Sequence, residues 1–276
     1  FEFLLENKLK LAVDYLSFDG VPNWNLDFNS HEQYVSYHRW NWLLEAITRD
    51  KTKINYDWGI GMIRSWLHTM GVSPSGDSGE SYTVAERISN TCLYARHFCG
   101  SWVELPDDIK NALRFKAQFL ARRLEYLPGN LTGNHLINNA RAMLLVGHSC
   151  EMHSCKDLAY QILTKALPRV VDADGFIKEG SSHYQFLITR WLLEIRMVAE
   201  EMGDHQILEL IKDYIPNMLA ACHFFIISHN HSNKKIPLFG DISPDCEPIW
   251  LEDLLHSKLA IIHNKVSEDF IPCGWA

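Results

Sequence analysis

The sequence predicts an all-α protein of stacked antiparallel helical hairpins, and three observations carry that prediction. Apolar residues recur at three- and four-residue spacing along most of the chain, the period of a helix with one buried face. No long segment alternates polar and apolar residues as a half-buried strand does. The links are short and rich in turn formers (Pro128-Gly129, Asp174-Gly175, Gly203-Asp204, Pro244-Asp245), so successive helices are expected to pack antiparallel. The 276 residues, 47% hydrophobic and 22% charged, suffice for a sizeable core and exclude disorder as the main state.

Each helix has its own signal. Ser30 suits the cap of a helix carrying Tyr34, Tyr37, Trp40, Leu43, Leu44 and Ile47 as one stripe. Residues 56–70 set Ile60, Ile63, Trp66 and Leu67 on one face, and Gly71 supplies a stop. A Ser/Gly-rich loop over 73–81 leads into a helix over 82–98. Pro106, followed by Asp107 and Asp108 in a first turn, opens one that runs to Leu127. Further helices are expected over 135–147, 156–171, 181–202, 206–228 and 249–264. Two arrangements fit about nine or ten helices of this kind. An open solenoid should repeat a consensus every 30 to 45 residues or so, and none is found; a closed ring of hairpins, an α/α toroid, needs none.

Composition excludes several functions. Acidic residues outnumber basic ones, 34 to 26, giving a formal charge of −8, the wrong sign for a broad nucleic-acid surface. No apolar run is long enough for a membrane span, the most apolar stretch, 219–227, being broken by His223, so a soluble protein is expected. The seven cysteines are scattered, without a C-x-x-C pair, and read as mostly reduced, which leans towards a reducing compartment. His223, His229 and His231 lie close together, but no cysteine or carboxylate completes a recognised zinc spacing, so no metal is expected. The nine tryptophans read mostly as core, with some available to stack on sugars. The chain opens on Phe1 without a leader-like segment, so either a leader has been removed or the sequence is a fragment.

Three loop-to-helix junctions combine glycine with polar groups. In Gly133-Asn134-His135-Leu136-Ile137-Asn138-Asn139, Asn134 suits an N-cap, which leaves His135, Asn138 and Asn139 without a reason to stand where helix propensity disfavours them. The second junction, 172–184, holds Asp174-Gly175, Glu179, Ser181, Ser182, His183 and Tyr184; either serine suits a cap, and Tyr184 reads as first-turn packing or as a functional group. The third, Phe239-Gly240-Asp241 with Ser243-Pro244-Asp245, reads alone as a tight loop.

In order and spacing these pieces resemble the heparinase II/III family of polysaccharide lyases, whose relatives include alginate lyases. The resemblance runs from Phe1-Glu2-Phe3-Leu4 and Trp24-Asn25 through Tyr37-His38-Arg39-Trp40-Asn41-Trp42-Leu43 and Ala85-Glu86-Arg87-Ile88-Ser89-Asn90 to the three junctions, with Ala142 and Gly147. It implies an α/α-toroid catalytic domain over residues 1–265. Residues 266–276, ending in Phe270-Ile271-Pro272-Cys273-Gly274-Trp275-Ala276, would be a linker and the start of the family's C-terminal β-sandwich, otherwise absent, so that the toroid is incomplete. It also implies an acidic, uronate-containing polysaccharide as substrate, cleavage by β-elimination without a cofactor, and a further catalytic histidine or tyrosine from the sandwich. Family members are often exported to the periplasm, against the lean of the cysteines.

β-Elimination removes the C5 proton of a uronate and expels the oxygen on C4, so the carboxylate beside C5 must be neutralised or hydrogen-bonded as charge develops. By the resemblance Asn134 takes that role with His135 assisting, and Tyr184 matches the catalytic tyrosine; Glu179, His183, Arg87 and Asn138 are the expected substrate-binding residues. Glu179 reads equally as a first-turn complement to the helix dipole, and Glu86 with Arg87 as a charge pair, either structural or facing the substrate. His183, Arg87 and Arg190 are the candidate cations around Tyr184. A glycoside hydrolase on the same scaffold needs two carboxylates flanking the bond, for which Glu179 and Asp241 stand. A non-catalytic carbohydrate-binding protein of surface-polysaccharide assembly is the third reading. Arg122-Arg123 and Lys234-Lys235 are small clusters for sulfate recognition.

Overall fold

The structure is a computed structural model, and it describes residues 8–11, 14–44, 56–72, 75–126, 133–227 and 238–242. The helix expected over 249–264, the 266–276 segment, Phe1-Glu2-Phe3-Leu4, His229, His231, Lys234, Lys235 and Ser243-Pro244-Asp245 lie outside the described residues.

A short antiparallel hairpin precedes the helices. β1 (Lys8–Leu11) pairs with β2 (Asp14–Ser17) in the register Lys8 to Ser17 and Leu11 to Asp14. It was not anticipated, because four residues of Lys-Leu alternation are too short to stand out; Leu9 and Leu11 turn inward and are buried. Among the described residues the helices are α1 (His31–Arg39), α2 (Tyr56–Met70), α3 (Ser81–Cys99), α4 (Asp107–Ala121), α5 (Asn134–Ser149), α6 (His153–Val170), α7 (Ser182–Met202), α8 (His205–Ile211) and α9 (Tyr214–Ile227), and residues 41–44 after α1 are also helical. A 3-10 turn over Gly76–Gly79 leads into α3. Among the described residues no helix is long and apolar enough to cross a membrane.

Two expected helices are broken, and the first break has a clear cause. The stripe through Ile47 is interrupted at Trp40, which takes a left-handed φ of 65, at a cost of about 1–2 kcal/mol for a side chain with a Cβ. The last carbonyls of a helix need donors. Arg87 Nη1 donates to the His38 carbonyl at 2.7 Å, and Asn90 Nδ2 donates to that of Arg39 at 2.9 Å, both from α3. Trp40 is buried edge-on against Trp66, ring centres 5.2 Å apart, and this packing offsets its strain. The helix expected over 206–228 is two, parted at Lys212 and Asp213. α4 ends at Ala121, short of the expected Leu127.

The chain separates into two compact units, residues 1–124 with 142–158 and residues 125–141 with 159–276; α5 and α6 each contribute to both. In the first unit α3 is buried from Ser81 through Ala95. Around it Trp24 stacks on Tyr37 at 4.9 Å, and Trp66 donates its Nε1–H to His38 Nδ1 at 3.0 Å. Burial, with the Arg87 charge nearby, lowers the His38 imidazole to about 3, so it remains a neutral acceptor. Lys116, also buried, donates to the Val72 carbonyl at 3.2 Å and sits 4.6 Å over the Trp66 ring; burial drives its amine well below the usual lysine range. Of the described tryptophans, Trp24, Trp40, Trp42, Trp66, Trp102 and Trp191 are buried and Trp58 is half-buried, so these rings serve the core rather than a sugar-stacking rim. The described cysteines, Cys92, Cys99, Cys150, Cys155 and Cys222, are free thiols.

In the second unit α7 is the central element, flanked by α8 and α9, with Ile188, Trp191, Leu192 and Ile195 fully buried. The turn before α7 presses on α9 at Gly175, which has φ +89 and where a Cβ would meet the Asn217 backbone at 2.2 Å. Gly175→Ala is therefore expected to lower stability by about 1–3 kcal/mol, read as a lower thermal midpoint. A midpoint equal to that of the wild type would mean that this approach is not tight in solution.

Candidate active site

The loop between α6 and α7 is tied down before it delivers any functional group. Asp172 Oδ1 accepts from the backbone N–H groups of Asp174 and Phe176 at 3.0 and 2.8 Å, closing an Asx-type turn. Val171 and Ile177 form an isolated antiparallel bridge. From α7, Gln185 accepts from the Ile177 N–H and donates to the Gly175 carbonyl, both at 2.9 Å. With every turn of this loop held, Glu179 and Ser181 follow at defined positions.

Glu179 reaches the start of α5. Its Oε1 accepts from the Asn134 backbone N–H and its Oε2 from Asn134 Nδ2, each at 3.0 Å. The backbone N–H is one of the unpaired donors of a helix start, and a carboxylate there meets the positive end of the helix dipole. Glu179 thus complements a dipole, as its plainer reading held, but that of α5 rather than of the helix it precedes. Asn134 is the first residue of α5 and is 7% exposed.

Ser181 caps α7: its Oγ accepts from the Tyr184 N–H at 3.1 Å. The segment 238–242 lies against this start. Ser182 N–H donates to the Phe239 carbonyl at 3.1 Å, Phe239 N–H donates to Ser182 Oγ at 3.0 Å, and Ser181 Oγ donates to the Asp241 carbonyl. Gly240 makes the approach possible, because a Cβ there, at φ +75, would stand 2.6 Å from the Gly180 carbonyl oxygen. Asp241 is thereby set beside Tyr184, whose hydroxyl donates to Asp241 Oδ2 at 3.0 Å.

The other expected site residues divide. His183 is fully buried, its ring edge-on to Tyr184 with centres 5.9 Å apart. His135 is nearly half exposed, with Nδ1 3.2 Å from Glu125 Oε1. Asn138 turns inward, where its Oδ1 accepts from Arg141 Nη1 at 2.9 Å. Arg141 and Arg190 both donate through Nε to Glu194, at 2.5 and 2.7 Å. Arg87 belongs to the first unit, where its guanidinium is buried over the Trp66 ring and donates to the His38 and Ser78 carbonyls. It caps α1 there, and burial, the largest influence, lowers it to about 9.

All three junctions of the sequence thus meet at one short stretch, Glu179 to Tyr184. Asp241 as the partner of Tyr184 was not foreseen, and no sequence signal marks it beyond the turn that contains it. The Arg141–Glu194–Arg190 group was also missed, although Arg190 and Glu194 stand four apart on one helix and are a recognisable pair.

Solved structures with similar folds carry related descriptions. Heparinase III superposes with a TM-score of 0.56 at 22% identity, over 81% of this chain and 36% of that one. The heparan sulfate lyase HepC from Pedobacter heparinus gives a TM-score of 0.56 at 17% identity, over 86% of this chain and 39% of that one. The likeness is one of fold, an all-α chain of the α/α-toroid class as the sequence predicts, and the chain spans less than two fifths of the length of these relatives. No family model and no curated protein sequence matches the chain.

Proposed function

We propose that the chain is the toroid part of a polysaccharide lyase that cleaves a uronate-containing polymer by β-elimination. The observation that carries the reading is the meeting of Asn134 and Tyr184 with one short loop, through Glu179 and the Ser181 cap, in a fold shared with heparinase III and a heparan sulfate lyase. In this reading Asn134 hydrogen-bonds the uronate carboxylate as charge builds on it, with His135 beside it. Tyr184 protonates the departing C4 oxygen; a phenol ordinarily keeps its proton to about pH 10, and here its hydroxyl is a donor. The resemblance implies a further catalytic histidine or tyrosine from the family's sandwich domain, and in this reading that residue takes the C5 proton. In this reading Glu179 holds Asn134 and His183 packs against Tyr184, while Asn138 binds Arg141 and Arg87 supports the other unit.

The hydrolase reading, with Glu179 and Asp241 as its two carboxylates, leaves Asn134, His135 and Tyr184 without a role in the chemistry. The test is incubation of the full-length protein with heparosan, heparan sulfate, hyaluronan, alginate and chondroitin. New chain ends that carry the ultraviolet absorbance of an unsaturated uronate are the expected result. Chain ends without that chromophore would make the protein a hydrolase, and saturable binding without cleavage would make it a binding protein.

A further inference from the structure

We infer that Glu179 is the positioning residue of the site, holding the Asn134 amide in one orientation; its catalytic consequence rests on the lyase reading. An asparagine amide turns broadly about its last torsion, and its oxygen and nitrogen ends differ little in shape. Two contacts remove that freedom here. A carboxylate accepts and does not donate, so the Asn134 edge facing Glu179 must be the nitrogen. The second Glu179 oxygen holds the backbone N–H of the same residue, so side chain and main chain of Asn134 are gripped by one group. Glu179 is itself fixed, because Lys178 N–H donates to the Val170 carbonyl at 2.8 Å on one side and Gly180 N–H to the Ile177 carbonyl at 3.3 Å on the other. The amide is set before a substrate arrives, which is what stabilising a developing charge requires.

The arrangement also has a cost that makes it testable. A negative group beside the residue that receives a uronate carboxylate repels that carboxylate in the bound ground state. Removing the charge therefore eases binding while it loosens the amide, and the two effects separate in the kinetics. A residue that merely supported the fold would lower kcat and raise KM together.

The experiment compares wild type with Glu179→Gln and, as a second variant, Glu179→Asp, which is too short to reach both donors. The Asn134 side-chain amide resonance, assigned by its loss in Asn134→Ala, is followed by NMR, and kinetics are measured on the best polymer of the panel. In both variants the resonance is expected to move upfield and exchange faster with water. Glu179→Gln is expected to lower kcat at least about 10-fold, with KM unchanged or lower. An unmoved resonance overturns the grip itself, a moved resonance with unchanged kcat overturns the positioning role, and a fallen kcat with raised KM reduces Glu179 to support of the fold. If the full-length wild type cleaves no polymer, the lyase reading fails and the catalytic half of this inference fails with it, while the resonance still decides the grip.

Discussion

Replacement of Tyr184 by phenylalanine is expected to slow polymer cleavage about 10²–10⁴-fold, the usual range for a lost general acid, while the melting curve hardly moves. The two halves of that expectation come from different parts of the residue. The ring is half-buried at the start of α7, and its packing survives the change. The backbone N–H still donates to Ser181 Oγ, so the cap persists. Only the hydroxyl goes, and with it one exposed hydrogen bond to Asp241, worth about 1 kcal/mol or less. In the lyase reading that hydroxyl carries the proton for the departing C4 oxygen, and the phenyl ring has none to give. Initial rates of unsaturated product, with thermal melts of both proteins, test this. Wild-type turnover in the variant would remove Tyr184 from the chemistry, and a collapsed melting curve would make its hydroxyl a structural group.

How much of this was readable beforehand depends on how local the cause is. α2 appears at its expected bounds, Tyr56–Met70, because its apolar stripe and the glycine after it are both local signals. α1 stops early for a distant reason, since the donors that take its last carbonyls, Arg87 and Asn90, lie 49 and 51 residues further along. No periodicity reports such a pair. Arg87 shows the same limit at the level of chemistry: an arginine in a motif looks alike whether it meets a sugar or a carbonyl, and burial decides. At the site, motif order singled out Asn134, Glu179 and Tyr184, but not what they touch. The Asn134–Glu179 pair spans 45 residues and Tyr184–Asp241 spans 57, and each depends on a loop conformation set by several backbone hydrogen bonds.

The largest stability effect is expected at Glu194, where Glu194→Gln should cost about 3–5 kcal/mol, the usual penalty for breaking a buried ion pair from one side. Glu194 pairs with both Arg141 and Arg190, and the side chains of all three are less than a tenth exposed. Its loss removes the negative charge that both buried guanidiniums face, and glutamine offers one acceptor oxygen to two donors. Against a typical total of about 5–15 kcal/mol, that is a large fraction. Acid should have a related effect. Burial pushes the Glu194 carboxyl upward, but Arg141 and Arg190 outweigh it and hold the group below the usual carboxylate range. A folded-state pKa below the unfolded one stabilises the protein fully above the unfolded value of about 4.3, and that contribution fades as pH falls through the folded value. The wild type should therefore lose stability on acidification below about pH 4 more steeply than Glu194→Gln, so that the gap between their thermal midpoints narrows with falling pH. A gap that stays constant would mean that the cost of the substitution lies in shape and hydrogen bonding rather than in charge, and equal midpoints at neutral pH would mean that the two arginines need no counter-charge.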